Sequence, residues 1–437
     1  MDNIQLSDIQ GNVKLADVKL SSLSLSADAV VGTINKVIDE VNSKGTDVSV
    51  DADLRTDSAN PIANAPVAFA LNSKMPISYE TLAKSSEFHA ICPNSDGSIF
   101  VLGGAEDGTT AGALMVSDDK LKTVVKTPVT VYDANAVIPE CSAVYNNYNT
   151  NFYSTSPFTT YVQWRAITYS KKANKFVAAP VTLSYYDKSK VLKRAVVVWS
   201  SSDGKQWECQ CLSTYVDNNV SQCTMKIAYD DSTGLTLLPH KDKVFYTEDC
   251  VTWNSYTIQN DTDTEYFNGT AIDVMADGEY LVWSGAHYSA AQQGACVVKY
   301  DKETKTFSNE AVLRLTAAEQ TSLGNKCLVA MHTAFANGVG IADAIGIYNN
   351  PFGLCQYDAA EKKLSLNTAY KSTNAQEIRG CFAYGNNIYF LTRTPKGMVK
   401  IDTEAGTLTQ VCTSTFKLEQ GCVLDDKVYI AGRDDYG

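Results

Sequence analysis

The sequence predicts a mainly-β fold made of repeated four-stranded sheets, on three grounds. From about residue 85 onward, short apolar runs of strand length alternate with turns rich in Asp, Asn, Gly and Lys, and hardly any segment shows a helical period. An apolar strand, a tight polar turn and a second apolar strand recur seven times along this body. After most copies a second hairpin follows, which completes the strand complement of one sheet. Such sheets, repeating every ~40 to 75 residues, pack radially as a β-propeller. A seven-bladed propeller is therefore expected over residues 81–437, with six blades as the alternative if the last hairpin pairs differently.

In chain order the first hairpins are "FHAICPNSDGSIFVLGG" (88–104), "WRAITYSKKANKFVAAPV" (164–181), "MKIAYDDSTGLTLLPH" (225–240), "AIDVMADGEYLVWSG" (271–285), "CLVAMHTAFANGVGIAD" (327–343), "GCFAYGNNIYFLTR" (380–393) and "GCVLDDKVYIAGR" (421–433). The second hairpins include "VVVWSSSDGKQWECQCL", "KVFYTEDCVTWNSYTI" and "GMVKIDTEAGTLTQV". The segment "NEAVLRLTAAEQTSLGNK" (309–326) is the one modest helical exception. The seventh copy has only its first hairpin, so its outer strands are expected from "MPISYETLAKSS" (75–86), a closure that leaves no open edge.

Bulk properties narrow the function. The 437 residues are 44% hydrophobic and 20% charged, enough for a large core. A formal charge of -12 repels phosphate backbones and anionic bilayers, so nucleic acid is not an expected partner. No apolar run reaches the ~18 to 20 residues of a membrane span, and "MDNIQLSDIQ" lacks the basic and apolar regions of a signal peptide. Neither membrane insertion nor secretion is expected. The 12 cysteines lie mostly singly in apolar runs, with no Cys-x-x-Cys, and read as small buried hydrophobes.

The N-terminal portion differs. Residues 1–25 repeat "LSDI" as "LADV" and bury too little to fold alone, so an anchoring role against a partner is expected. Over 26–45, Ser26 caps a helix, Gly45 stops it, and Val30, Ile34, Val37 and Val41 form an a/d seam. β-Branched residues at both a and d favour three strands, so a short trimeric coiled coil is expected; the alternative is a lone amphipathic helix on its own domain. Residues 46–80 contain "VDADLRTDSANPIANAPVAFALNSK", where Asn60, Pro61 and Asn64 supply turn chemistry and amides that bond a neighbouring chain, or simply a surface linker.

That stretch resembles a short module of bacteriophage tail-fibre and head-fibre proteins, with Leu54, Ser58, Asn60, Pro61, Ile62, Asn64, Val67, Ala70, Leu71 and Lys74 on the module's Leu, Ser-x-Asn-Pro-aliphatic-x-Asn and Ala-Leu-x-x-Lys positions. Pro66 departs from the pattern. The resemblance covers about 25 residues and implies a virion-associated, homotrimeric fibre, assembled in the host bacterial cytoplasm and held to a capsid or tail protein through its N-terminus. Two outer hairpins add another resemblance. "SSSDGKQW" with Ser201, Asp203 and Trp207, and "YTEDCVTW" with Thr247, Asp249 and Trp253, look like the structural Asp-box turn of sialidase-type propellers.

No catalytic residue is assigned. The body's arginines, Arg165, Arg194, Arg314, Arg379, Arg393 and Arg433, show no shared blade position, and the four histidines stand without ligand spacing, so no metal and no cofactor are expected. The candidate receptor-binding residues are Tyr145, Tyr148, Tyr153, Tyr161 and Trp164 in the insertion 137–164, because aromatic rings among amides and hydroxyls suit sugar and protein surfaces. The expected function is a non-enzymatic display head for a bacterial surface glycan or protein. The alternatives are a capsid-decorating head fibre without an essential receptor and a sialidase-like glycan hydrolase.

Overall fold

Runs of β-branched and aromatic residues between Asp, Asn and Gly turns become antiparallel strands throughout the computed structural model. It describes residues 87–105, 112–126, 137–145, 164–180, 183–216, 224–259, 267–285, 294–322, 330, 332–344, 353–367, 378–393, 396–414 and 417–433. All belong to the second of two compact units, Met1–Thr81 and Leu82–Gly437. The expected anchor, the seam of Val30, Ile34, Val37 and Val41, and the module residues Asn60, Pro61 and Asn64 lie outside the described residues.

The first sheet runs β1 (Glu87–Pro93), β2 (Phe100–Ala105), β3 (Gly112–Ser117) and β4 (Val125–Lys126). The second contains β5 (Cys141–Tyr145), β6 (Trp164–Ser170), β7 (Lys175–Pro180), β8 (Leu183–Asp187), β9 (Leu192–Ser201) and β10 (Glu208–Val216). The third is β11 (Ala228–Asp230), β12 (Leu235–His240), β13 (Lys243–Thr247) and β14 (Asn254–Thr257). The fourth is β15 (Gly269–Ala276), β16 (Glu279–Ser284), β17 (Gly294–Asp301) and β18 (Thr306–Arg314), followed by a short helix α1 (Ala317–Ser322). The fifth is β19 (Thr333–Ala336), β20 (Val339–Ala344), β21 (Gly353–Asp358) and β22 (Lys363–Asn367). The sixth is β23 (Ile378–Tyr384), β24 (Asn387–Arg393), β25 (Lys396–Asp402) and β26 (Thr407–Thr413), and a hairpin of β27 (Lys417–Leu424) and β28 (Lys427–Arg433) completes the series.

The innermost strands β1, β6, β11, β15, β19, β23 and β27 each pack on the next, and β27 returns to β1. The ring is closed, as a β-propeller requires. Apolar clusters fill the spaces between successive sheets: Val101 and Leu114 meet Trp164 and Phe176, Ala271 and Trp283 meet Ala342 and Tyr357, and Phe100 and Leu102 meet Ala431 with Tyr429. Middle strands are covered on both faces, so β12 is buried along its whole length, whereas outer β10 alternates between exposed and half-buried.

The structure corrects three expectations. Among the described residues six sheets have four or more strands, so there are six blades and not seven. The last repeat contributes only the two-stranded sheet β27–β28, because one hairpin cannot supply a blade's outer pair. Its expected completion from residues 75–86 lies outside the described residues. Part of the insertion read as a binding loop is a strand: the C-terminal half of the ten-residue β9 pairs with β7, and its other half leaves an edge that β8 takes, with β5 beyond. Finally, the helical exception is half strand. Residues 306–314 pair with β17, and among the described residues Ala317–Ser322 coil, started by a reciprocal cap in which Thr316 N donates to Glu319 Oε2 at 2.8 Å and Glu319 N donates to Thr316 Oγ1 at 3.3 Å.

Outer hairpins of the last three blades share one turn device. Asp301, Asp358 and Asp402 each accept, through Oδ1, the backbone N–H groups two and three residues on, at 2.8 to 3.1 Å. The residue four places on is left-handed: Lys305 at 56°, Lys362 at 50° and Gly406 at 64°. A side chain there is strained and glycine is not. We expect Lys362→Gly to raise the unfolding free energy by about 0.5 kcal/mol and Gly406→Ala to lower it by about 1 kcal/mol, measured by denaturant titration. A Lys362→Gly variant that is less stable than wild type, or a Gly406→Ala variant that is more stable, would reject the strain account.

Candidate functional site

The ring of innermost strands carries a local irregularity that creates its polar centre. In five of them the ladder skips a polar residue near the start of the strand: His89, Arg165, Thr270, Arg379 and Glu419. A β-bulge leaves its extra residue out of the pairing and re-aims its side chain, so a position that strict alternation would assign to a blade face is freed. His89, Arg165 and Arg379, with Lys226 just before β11 and His332 and Thr333 at the start of β19, line one cavity of about 30 Å³. That is room for about one or two water-sized groups.

Behind this lining lie carboxylates. Glu419 is 1% exposed, with Oε2 at 3.8 Å from His89 Nδ1. Burial pushes its carboxyl up, but the bond from His89 and the fields of Arg379, His89 and Arg165 outweigh that, and the group ends below the usual glutamate range. Asp273 accepts from Lys226 Nζ at 2.5 Å and from Trp283 Nε1 at 2.8 Å, and Lys226 also donates to Thr333 O at 2.7 Å. Burial opposes the ammonium charge of Lys226, yet the adjacent Asp273 carboxylate raises its pKa overall. Asp343, fully buried, accepts from His332 N and pairs with His332 Nδ1, both at 2.8 Å. Close approach of strands permits this centre. A Cβ on Gly380 would lie 2.0 Å from Glu419 O, so only glycine lets β23 and β27 come together there.

Of the sequence-predicted receptor residues, Trp164 is corrected. It is fully buried in the core between the first two sheets, edge-on to Trp199 at a centroid distance of 5.0 Å, and presents nothing to a partner. Its position at the start of an innermost strand, packed under the neighbouring blade, explains this. Tyr145 ends β5, and Tyr148, Tyr153 and Tyr161 lie outside the described residues. The six residues of the two outer turns do sit in matched turns. Asp203 Oδ1 accepts from Lys205 N at 2.8 Å, Gln206 N at 2.9 Å and Ser201 Oγ at 3.0 Å, and buried Trp207 donates from Nε1 to Gly204 O at 3.0 Å. Asp249 Oδ1 repeats the pattern with Val251 N, Thr252 N and Thr247 Oγ1, while half-buried Trp253 packs below. Burial raises the Asp249 carboxyl, but the Thr252 and Val251 N–H groups bring it to about 2.

The axial residues were missed at the sequence level, and the reading that the arginines share no blade position is wrong: Arg165 and Arg379 occupy the same bulge. The available signal was a polar residue directly before a small one near the start of five first strands: His89-Ala90, Arg165-Ala166, Thr270-Ala271, Thr333-Ala334 and Arg379-Gly380. Among the described residues no group of three or more His, Cys, Asp or Glu is placed to hold a metal ion. Among them, too, no helix is long and apolar enough to cross a membrane.

No family model matches the chain, and no curated protein matches it. Solved structures that it resembles include an extracellular domain of BT4673 from B. thetaiotaomicron, at 14% identity and TM-score 0.43, covering 81% of this chain and 42% of that one. The chain thus spans less than half of that protein's length. Others are YCF48 bound to D1 peptide, at 11% identity, TM-score 0.44 and 82% and 94% coverage, and the Dos1 propeller, at 10% identity, TM-score 0.41 and 80% and 91% coverage.

Proposed function

We propose that this chain is a fibre protein of a bacteriophage virion whose propeller head binds the host surface. The observation that carries the binding role is the axial cavity, where a closed ring of strands turns charged side chains inward instead of filling its centre with apolar ones. The virion role rests on the Ser58–Asn64 module resemblance preceding that head. In this reading residues 1–25 fasten the fibre to a capsid or tail protein, residues 26–80 gather three copies, and the heads project outward. Three heads on one stalk raise effective concentration, so a weak individual site suffices. Binding without turnover is favoured because the axial carboxylates are engaged: Asp273 by Lys226 and Trp283, and Asp343 by His332.

Deleting residues 81–437 tests this directly. Particles should assemble with the truncated fibre attached and lose host adsorption. Unaltered adsorption would instead establish a decorating fibre, and turnover of a host glycan by the head would establish an enzyme.

A further inference from the structure

The axial cavity has a chemical polarity that specifies a ligand. Its charged lining is cationic, from Arg165, Arg379 and Lys226, with the imidazoles of His89 and His332 beside them. The carboxylates that balance these groups, Glu419, Asp273 and Asp343, are 1%, 4% and 0% exposed and sit behind them, so the nearest charges to any occupant are positive. Arginine forks match the two oxygens of a carboxylate in plane.

A second, independent observation concerns groups left over. Thr333, 2% exposed, is one of the residues that line the cavity, and its Oγ1 has no hydrogen-bond partner among the described residues. His332 Nε2 and Gln420 Oε1, on two more of the lining residues, have none either. Buried polar atoms are nearly always paired, and a cluster of exceptions marks a place completed by something else. With Nδ1–H donating to Asp343, His332 Nε2 is an acceptor, as is Gln420 Oε1. The centre therefore combines cationic donors with acceptors that require a hydroxyl.

We infer that the axial cavity binds a hydroxy-carboxylate, the acid head of an acidic sugar, with the carboxylate toward the arginines and an adjacent hydroxyl toward His332, Thr333 and Gln420. A cavity of about 30 Å³ admits the two oxygens of the carboxylate, so the hydroxyl meets it only at its edge and the sugar ring stays outside. This deepens the proposed function, from which it takes only the source of the ligand, a host-surface polysaccharide.

The test is calorimetric titration of the full chain with glucuronate, its methyl ester, glucose and inorganic phosphate. Glucuronate should bind saturably, and the ester and glucose at least about tenfold more weakly. Thr333→Val should weaken glucuronate binding by about fivefold while leaving the ligand-free unfolding midpoint unchanged, because the hydroxyl it removes has no partner among the described residues. Arg379→Gln should weaken binding by about tenfold or more. Equal binding of ester and acid, binding of phosphate alone, absence of glucuronate binding, or an unchanged affinity in Thr333→Val would each overturn the inference. If glucuronate fails to bind while head deletion abolishes adsorption, only this inference falls. If it binds while adsorption survives the deletion, only the host-binding reading falls.

Discussion

Replacing Trp283 by alanine lowers the unfolding free energy by about 3 to 5 kcal/mol, the cost of an aromatic cavity in a packed core. The indole is fully buried between the fourth and fifth sheets, among Leu281, Ala295, Ala342 and Cys355, where no neighbour is free to collapse into the void. It also donates to Asp273, the partner of Lys226, so its loss loosens one side of the axial centre. Trp283→Phe separates the two roles. It keeps most of the apolar volume and deletes the N–H, so the expected cost is about 1 to 3 kcal/mol for the buried Asp273 oxygen left without that donor. Denaturant titrations should order the proteins wild type, Phe, Ala. An alanine variant within 1 kcal/mol of wild type, about the cost of an ordinary surface change, would show that the sheets do not meet there as described.

Mild acid destabilises the propeller through His240. This imidazole is 5% exposed, hydrogen-bonded through Nε2 to Tyr215 Oη at 2.5 Å and through Nδ1 to Thr224 Oγ1 at 3.1 Å. Burial first, then the charges of Lys241 and Arg194, push its pKa down to about 3. The unfolded chain takes up this proton near pH ~6.5 and the folded one does not. The stabilisation is therefore complete above about 6.5 and is lost as pH falls towards 3, at about 1.4 kcal/mol per pH unit, or about 2 kcal/mol by pH 5. Aspartates such as Asp249 act later, since their lowered pKa values cost stability only below about 4. His240→Gln should flatten the curve between pH 6.5 and 5 relative to wild type. Parallel curves would sink the assignment.

How much was legible beforehand varies with the range of the contacts involved. Alternation and turn residues marked nearly every strand, because both are set by neighbours within a few positions: the Asp301, Asp358 and Asp402 turns are complete within five residues. The Ser201–Trp207 and Thr247–Trp253 turns were legible for the same reason. Trp164 was misread because composition alone does not distinguish an aromatic in a displayed loop from one opening a core strand, and only the packing of β6 under the first sheet settles which it is. The length of β9, and with it the added pair β5 and β8, was equally hidden: "VLKRAVVVWSS" reads as one strand, but nothing local says that its two halves serve different neighbours.

What the sequence determined by itself is therefore the β class, the repeat and the turn chemistry, together with a charge balance that disfavours nucleic acid. Only the tertiary structure decided the six full blades, the closing hairpin and the polar centre. Arg165, Lys226, His332 and Glu419 are separated by dozens to hundreds of residues, and each says little alone. They converge because the ring closes and because bulges in five of its innermost strands each turn a polar residue, Arg165 and Glu419 among them, out of the ladder. Ring closure depends on the summed packing of all the sheets, which no single stretch of chain encodes.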